Sequence, residues 1–74
     1  MNNKDFYKNL GQKIKELRTK RNLTQDELAE KAGIHNKYQG KIERAEKRPS
    51  VETLFKLAKA LEVRVSDFFD FDVL

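Results

Sequence analysis

Apolar positions recur at helical spacing along most of the chain. Phe6, Leu10, Ile14 and Leu17 follow one another at steps of four, four and three, which puts them on one stripe of a helix over residues 5–21. Gly11 lies inside that stretch, where glycine costs about 1 kcal/mol relative to alanine; close packing against a neighbour would account for it. Thr24 and Glu27 then stand at capping-box spacing ahead of Leu28, Ala29 and Ala32, and Gly33 suits the left-handed residue that ends a helix. The pattern predicts a second helix over residues 25–32.

After the short connection Gly33-Ile34-His35, Tyr38 and Ile42 are four apart and mark a third helix over residues 36–44. His35 caps or borders it. "AEKRPS" holds the only proline and reads as a charged loop. Ser50 is placed to cap a fourth helix carrying Val51, Leu54, Leu57, Ala58 and Leu61, the most clearly amphipathic segment of the chain. In the tail, Ser66 is the expected cap of a short fifth helix, although "VRVSDFF" could briefly extend. Phe68, Phe69 and Phe71 crowd into four positions there.

Composition narrows the function. Seventy-four residues make one domain with a modest core, which rarely supplies more than about 3–5 kcal/mol and makes dimerisation a plausible further source of stability. The absence of cysteine removes disulfides, zinc-finger schemes and thiol catalysis. One histidine cannot build a metal site, and the carboxylates are scattered over polar faces with no glycine-rich phosphate loop, so no acid–base or nucleophile pair is in view and an enzyme is the weakest reading. No apolar run reaches the roughly 20 residues of a membrane span, and the start lacks the apolar block of a signal peptide. The expectation is a soluble, cytoplasmic protein without cofactor, metal or membrane contact. Sixteen Lys and Arg against twelve Asp and Glu leave a net charge of +4, so the placement of charge matters more than its total.

Two short helices joined by a glycine-containing turn, the second with a polar outer face, form a helix-turn-helix over residues 25–44, whose second helix can enter the major groove of DNA. The segments "LGQKIKELRTKRNLTQDELAEKAGI", "KIERAEKRPSVETLFKLAKAL" and "VSDFF" stand in an order and spacing that resembles the Cro/C1-type (Xre-like) family of transcriptional regulators across most of the chain. The resemblance implies an all-α, compact five-helix, lambda-repressor-like DNA-binding domain covering residues 1–74, acting as a homodimer on a partly palindromic double-stranded operator. In length the chain also resembles small phage repressors and the controller proteins of restriction–modification systems.

With Tyr38 and Ile42 inward, the outer face of the third helix carries Asn36, Lys37, Gly40, Lys41 and Arg44. Asn36 suits adenine, and Lys37 and Lys41 suit guanine O6 and N7; on a helix face with no DNA such lysines serve only as solubilising charges, and Asn36 as a cap. The resemblance places base readers at Asn36, Lys37 and Lys41. It also matches Gln25 to a glutamine that bonds a phosphate and braces the reading helix, with Arg44, Lys47 and Arg48 continuing the phosphate track. Gly40 leaves space for the backbone to approach a base. Arg18 and Glu43 match a structural ion pair. Gln39 stands where the family has an aliphatic residue, and loses apolar burial unless its amide finds partners. Ala45 replaces a common glycine.

Phe55, Leu61, Val63, Val65, Phe69 and Phe71, the last five within or beside the tail over residues 62–74, form a candidate symmetric contact, since so small a domain cannot readily hide every aromatic. Folding of those rings onto their own helices is the alternative. RNA polymerase is a further candidate partner, and the lack of a second domain argues against a small-molecule ligand. The competing function is a protein-interaction module, such as an antitoxin whose aromatic tail holds a partner.

Overall fold

The computed structural model describes residues 2–71. Its elements are α1 (Asn3–Lys20), α2 (Gln25–Ala32), α3 (Asn36–Glu43), α4 (Val51–Leu61) and a closing 3-10 turn over Val65–Phe69. Every α-helix starts at a side chain that accepts one of its free N–H groups. Asn2 takes Asp5 N–H at 2.9 Å, His35 Nδ1 takes Lys37 N–H at 3.1 Å, and Ser50 takes Thr53 N–H at 3.0 Å. At α2 the capping box is reciprocal: Thr24 accepts from Glu27 N–H at 3.0 Å and the Glu27 carboxylate accepts from Thr24 N–H at 2.8 Å.

The fifth helix expected behind a Ser66 cap is instead a single 3-10 turn. Arg64 is its cap residue, with its N–H donated to the Asp67 carboxylate at 2.9 Å, and Ser66 lies inside the turn. The reason lies in packing. Phe68 is fully buried, and one tight turn suffices to drop its ring between α1 and α4. Around it, Leu10, Ile14, Leu28, Ile42, Leu57 and Leu61 are sealed from water; each such side chain contributes about 1.5–3 kcal/mol by leaving water. Leu61 is thus core, and its expected place in a contact between protomers is withdrawn.

Left-handed residues close the helices. Gly33 (φ 73°) does so without penalty, whereas Ala45 (φ 61°) and Glu62 (φ 57°) each bear about 1–2 kcal/mol of Cβ strain. At Ala45 the backbone gains partners in return: its N–H reaches Ile42 O at 3.1 Å, and Glu46 N–H reaches Lys41 O at 2.8 Å. No helix among the described residues is long and apolar enough to cross a membrane.

Gly11 sets how closely α1 meets α3. A Cβ there would lie 2.5 Å from Ile42 O and 2.7 Å from Glu43 O, contacts against backbone that cannot rotate away. Gly11→Ala therefore sets about 1 kcal/mol of helix propensity gained against overpacking of about 1–3 kcal/mol that also displaces the end of α3. The clash wins: thermal denaturation will show a lower Tm for this variant, and a Tm at or above that of the parent protein would mean that the crossing is looser than described.

Candidate nucleic-acid interface

The polar side of the fold is organised around Glu43, the last residue of α3. Arg18 of α1 grips its carboxylate with two prongs, Nε to Oε2 at 2.7 Å and Nη2 to Oε1 at 3.0 Å, and donates Nη1 to Leu23 O at 2.7 Å. Gln39 Nε2 donates to Oε2 at 2.8 Å and Gln25 Nε2 to Oε1 at 3.1 Å. Arg18 and Glu43 are both 8% exposed. Burial pushes the Glu43 carboxyl up, but the hydrogen bonds from Arg18, Gln39 and Gln25, with the Arg18 charge, outweigh it and hold the group below its ordinary 4.5.

Gln39 is fully buried, so the family's inward position is kept with a polar side chain. Its amide nitrogen is used on Glu43, while Oε1 has no hydrogen-bond partner among the described residues. An unpaired buried oxygen costs about 1–3 kcal/mol, which is the local price of carrying a third donor to the carboxylate. Gln25, half-buried at the start of α2, spends its amide nitrogen on Glu43 and thereby ties α2 to α3.

Above this network lies a shallow concavity lined by Gln25, Asp26, Asn36, Lys37, Gly40, Lys41 and Arg44. Asn36, Lys37, Lys41 and Arg44 are exposed there. Because His35 is the cap of α3, Asn36 is not needed for that task. Gly40, expected to be open to DNA, lies on this face but is buried, because Gln25 Oε1 and the Arg44 guanidinium lie over it, 3.2 and 3.0 Å from where a Cβ would be. Its missing side chain makes room for those two groups.

Lys47 and Arg48 are exposed in the loop after α3. Arg48 stands over the Tyr7 ring, 4.7 Å from its centroid, a cation–π contact that orders an otherwise free cation. Arg44 is paired with Glu46, whose carboxyl this holds below its ordinary value. Sequence reasoning misses Asp26, Glu46 and Tyr7. Helix spacing offers a signal only for Asp26, which shares the first turn of α2 with Gln25.

Of the apolar contact candidates, Phe55 is 61% exposed on α4, one turn from Val51 at 69%. Phe69 stacks on Phe6 with centroids 6.0 Å apart, and Phe71 meets Phe6 edge-on at 5.7 Å. Those two rings fold back on α1, leaving Phe69 37% exposed, while Val63 and Val65 are half-buried against the core. Residues 72–74 of the tail lie outside the described residues.

A model of the helix-turn-helix family matches residues 14–68. The chain is 47% identical over 57 residues to the immunity repressor protein of Bacillus phage phi105, a match covering 77% of this chain and 40% of that longer protein. Its fold is similar to that of the restriction–modification controller protein C.AhdI from Aeromonas hydrophila, with a TM-score of 0.84 and 35% identity over 85% of this chain and 96% of that one. The biofilm regulator SinR, solved in complex with DNA, matches with a TM-score of 0.79 and 39% identity over 82% of this chain and 98% of that one.

Because the carboxyl of Glu43 titrates below 4.5 in the folded state, the folded protein holds fewer protons than the unfolded chain. The stabilisation is present in full above that ordinary value and is lost as pH falls through the folded one. Tm will accordingly drop on acidification below about pH 4.5, and Glu43→Gln will flatten that drop while losing about 3 kcal/mol at neutral pH, where Arg18 is left without its counter-charge. Denaturation curves at several pH values check this; an unchanged acid limb in the variant would remove Glu43 from its assigned role.

Proposed function

The chain belongs to the Cro/C1-type helix-turn-helix family of transcriptional regulators, and on that premise we propose that it binds a specific double-stranded operator as a homodimer. The observation that carries the reading is the cluster of exposed Asn36, Lys37 and Lys41 on α3, beside the start of α2 and above a carboxylate network that fixes the roll of the helix. In this arrangement α3 enters the major groove, Asn36 pairs with adenine and the two lysines with guanine. Gln25, through the first-turn N–H groups of α2, and Arg44, Lys47 and Arg48 hold phosphates and set the register.

A two-fold dimer sets its reading helices roughly 34 Å apart, facing successive major grooves on one side of the duplex. Val51 and Phe55, exposed one turn apart on α4, supply the apolar centre of such a contact. By occupying the operator in the cytoplasm the protein blocks or recruits RNA polymerase, according to where the operator lies. The same exposed Phe55 favours a second reading, in which a different protein docks on α4; here the occupant is a second copy.

Selection of bound duplexes from a random pool by the purified protein, at near-physiological salt, will enrich a two-fold symmetric motif with half-sites about 10 base pairs apart. Lys41→Glu will bind that motif at least about tenfold more weakly, the equivalent of about 1.4 kcal/mol and within the range that a single base contact supplies. Unchanged affinity would displace Lys41 from the reading face. Phe55→Glu, followed by analytical ultracentrifugation, will give monomers with weakened operator binding; a persistent dimer would move the interface elsewhere, and a foreign protein that co-purifies with the parent but not with this variant would favour the second reading.

A further inference from the structure

Arg44 and Glu46 flank the left-handed Ala45 and their side chains meet, with Arg44 lining the concavity beside α3. Arg44 Nε donates to Glu46 Oε2 at 2.8 Å and Nη2 reaches Oε1 at 3.4 Å. Two donors of the fork are thereby occupied. Nη1 turns the other way, over Gly40, where a Cβ would meet it at 3.0 Å and Gln25 Oε1 at 3.2 Å. The missing Gly40 side chain thus seats the guanidinium in the concavity that Asn36, Lys37 and Lys41 also line.

The carboxylate occupies the guanidinium as a phosphate would, since both offer two oxygens at the spacing of the fork. The geometry points to Glu46 as a residue that tempers affinity for the DNA backbone: an internal stand-in for phosphate that competes with DNA for Arg44. This rests on the reading of Arg44 as a DNA contact. Both side chains are about half exposed, 55% and 53%, and an exposed pair of this kind is weak, so DNA can displace Glu46 without a large barrier. Non-specific affinity is built from phosphate contacts, which carry no sequence information. Restraining one of them lowers binding to random sequence and leaves the base contacts of Asn36, Lys37 and Lys41 in place.

The test is a double-mutant cycle on a random-sequence duplex, with fluorescence anisotropy followed across salt concentrations for the parent protein, Glu46→Gln, Arg44→Gln and the double variant. Glu16→Gln serves as the charge-matched control, because Glu16 pairs with Lys13 and Lys20 on α1, away from the concavity. Far-UV circular dichroism verifies that each variant keeps its helices. Glu46→Gln is expected to tighten random-duplex binding by about three- to fivefold relative to the control, the range an exposed pair allows, and to steepen the salt slope by about 0.9, one phosphate contact. In the Arg44→Gln background that gain will disappear. A gain equal to that of Glu16→Gln, or one that persists without Arg44, would reduce Glu46 to a general negative charge and overturn the inference. Because the duplex is random, the cycle stays readable even if no operator motif is enriched, so this inference and the proposed function fail separately.

Discussion

The buried carboxylate of Glu43 is the constraint on which the proposed DNA-reading face depends. A carboxylate removed from water costs several kcal/mol unless its oxygens are fully occupied, and here the occupants come from separate parts of the chain. Arg18 belongs to α1, Gln25 to the start of α2 and Gln39 to α3 itself. Arg18 also reaches Leu23 O, so the connection between α1 and α2 is drawn into the same knot. Rolling α3 about its axis would strip the carboxylate of Arg18 and Gln25. The orientation of Lys37 and Lys41 is therefore set from within the protein, by Arg18, Gln25 and Gln39, and by the closeness of α1 to α3 that Gly11 allows.

Most of the fold is legible in the sequence because its signals are local. Thr24 with Glu27, Ser50 and Gly33 mark helix ends through hydrogen bonds and a backbone conformation that span only a few residues, and the structure places α2 and the start of α4 where those residues predict. Ser66 misleads for the same reason. It is an adequate cap in isolation, but the burial of Phe68, a long-range demand, selects a shorter turn capped at Arg64. Gly40 shows a related gap: periodicity assigns a residue to a face, yet cannot tell that side chains from Gln25 and Arg44 will cover it. Leu61 looks like part of a surface contact by its place beside the tail, but it closes the core. The aromatic tail cannot be apportioned from spacing alone, because the ring that receives Phe69 and Phe71 is Phe6, at the opposite end of the chain.

Charge on the interface is moderated more than composition suggests. The net charge is only +4, and two of the cations nearest the end of α3 already have partners within the protein: Arg44 in Glu46 and Arg48 in the Tyr7 ring. Lys37 and Lys41 stand exposed on α3 itself. A single domain so arranged would hold arbitrary DNA weakly, which suits a regulator that must leave the many wrong sites for the right one. In the proposed homodimer, two-fold pairing would supply affinity by effective concentration rather than by added charge.

The measurement that bears most directly on this account is an NMR titration of uniformly 15N-labelled protein with the selected duplex, reading which backbone amides shift. The account predicts that the largest changes fall at Gln25 and Asp26 and along Asn36 to Arg48. Changes concentrated instead on Val51 to Phe55, or spread evenly over the molecule, would contradict the assignment of α3 as the element that reads DNA.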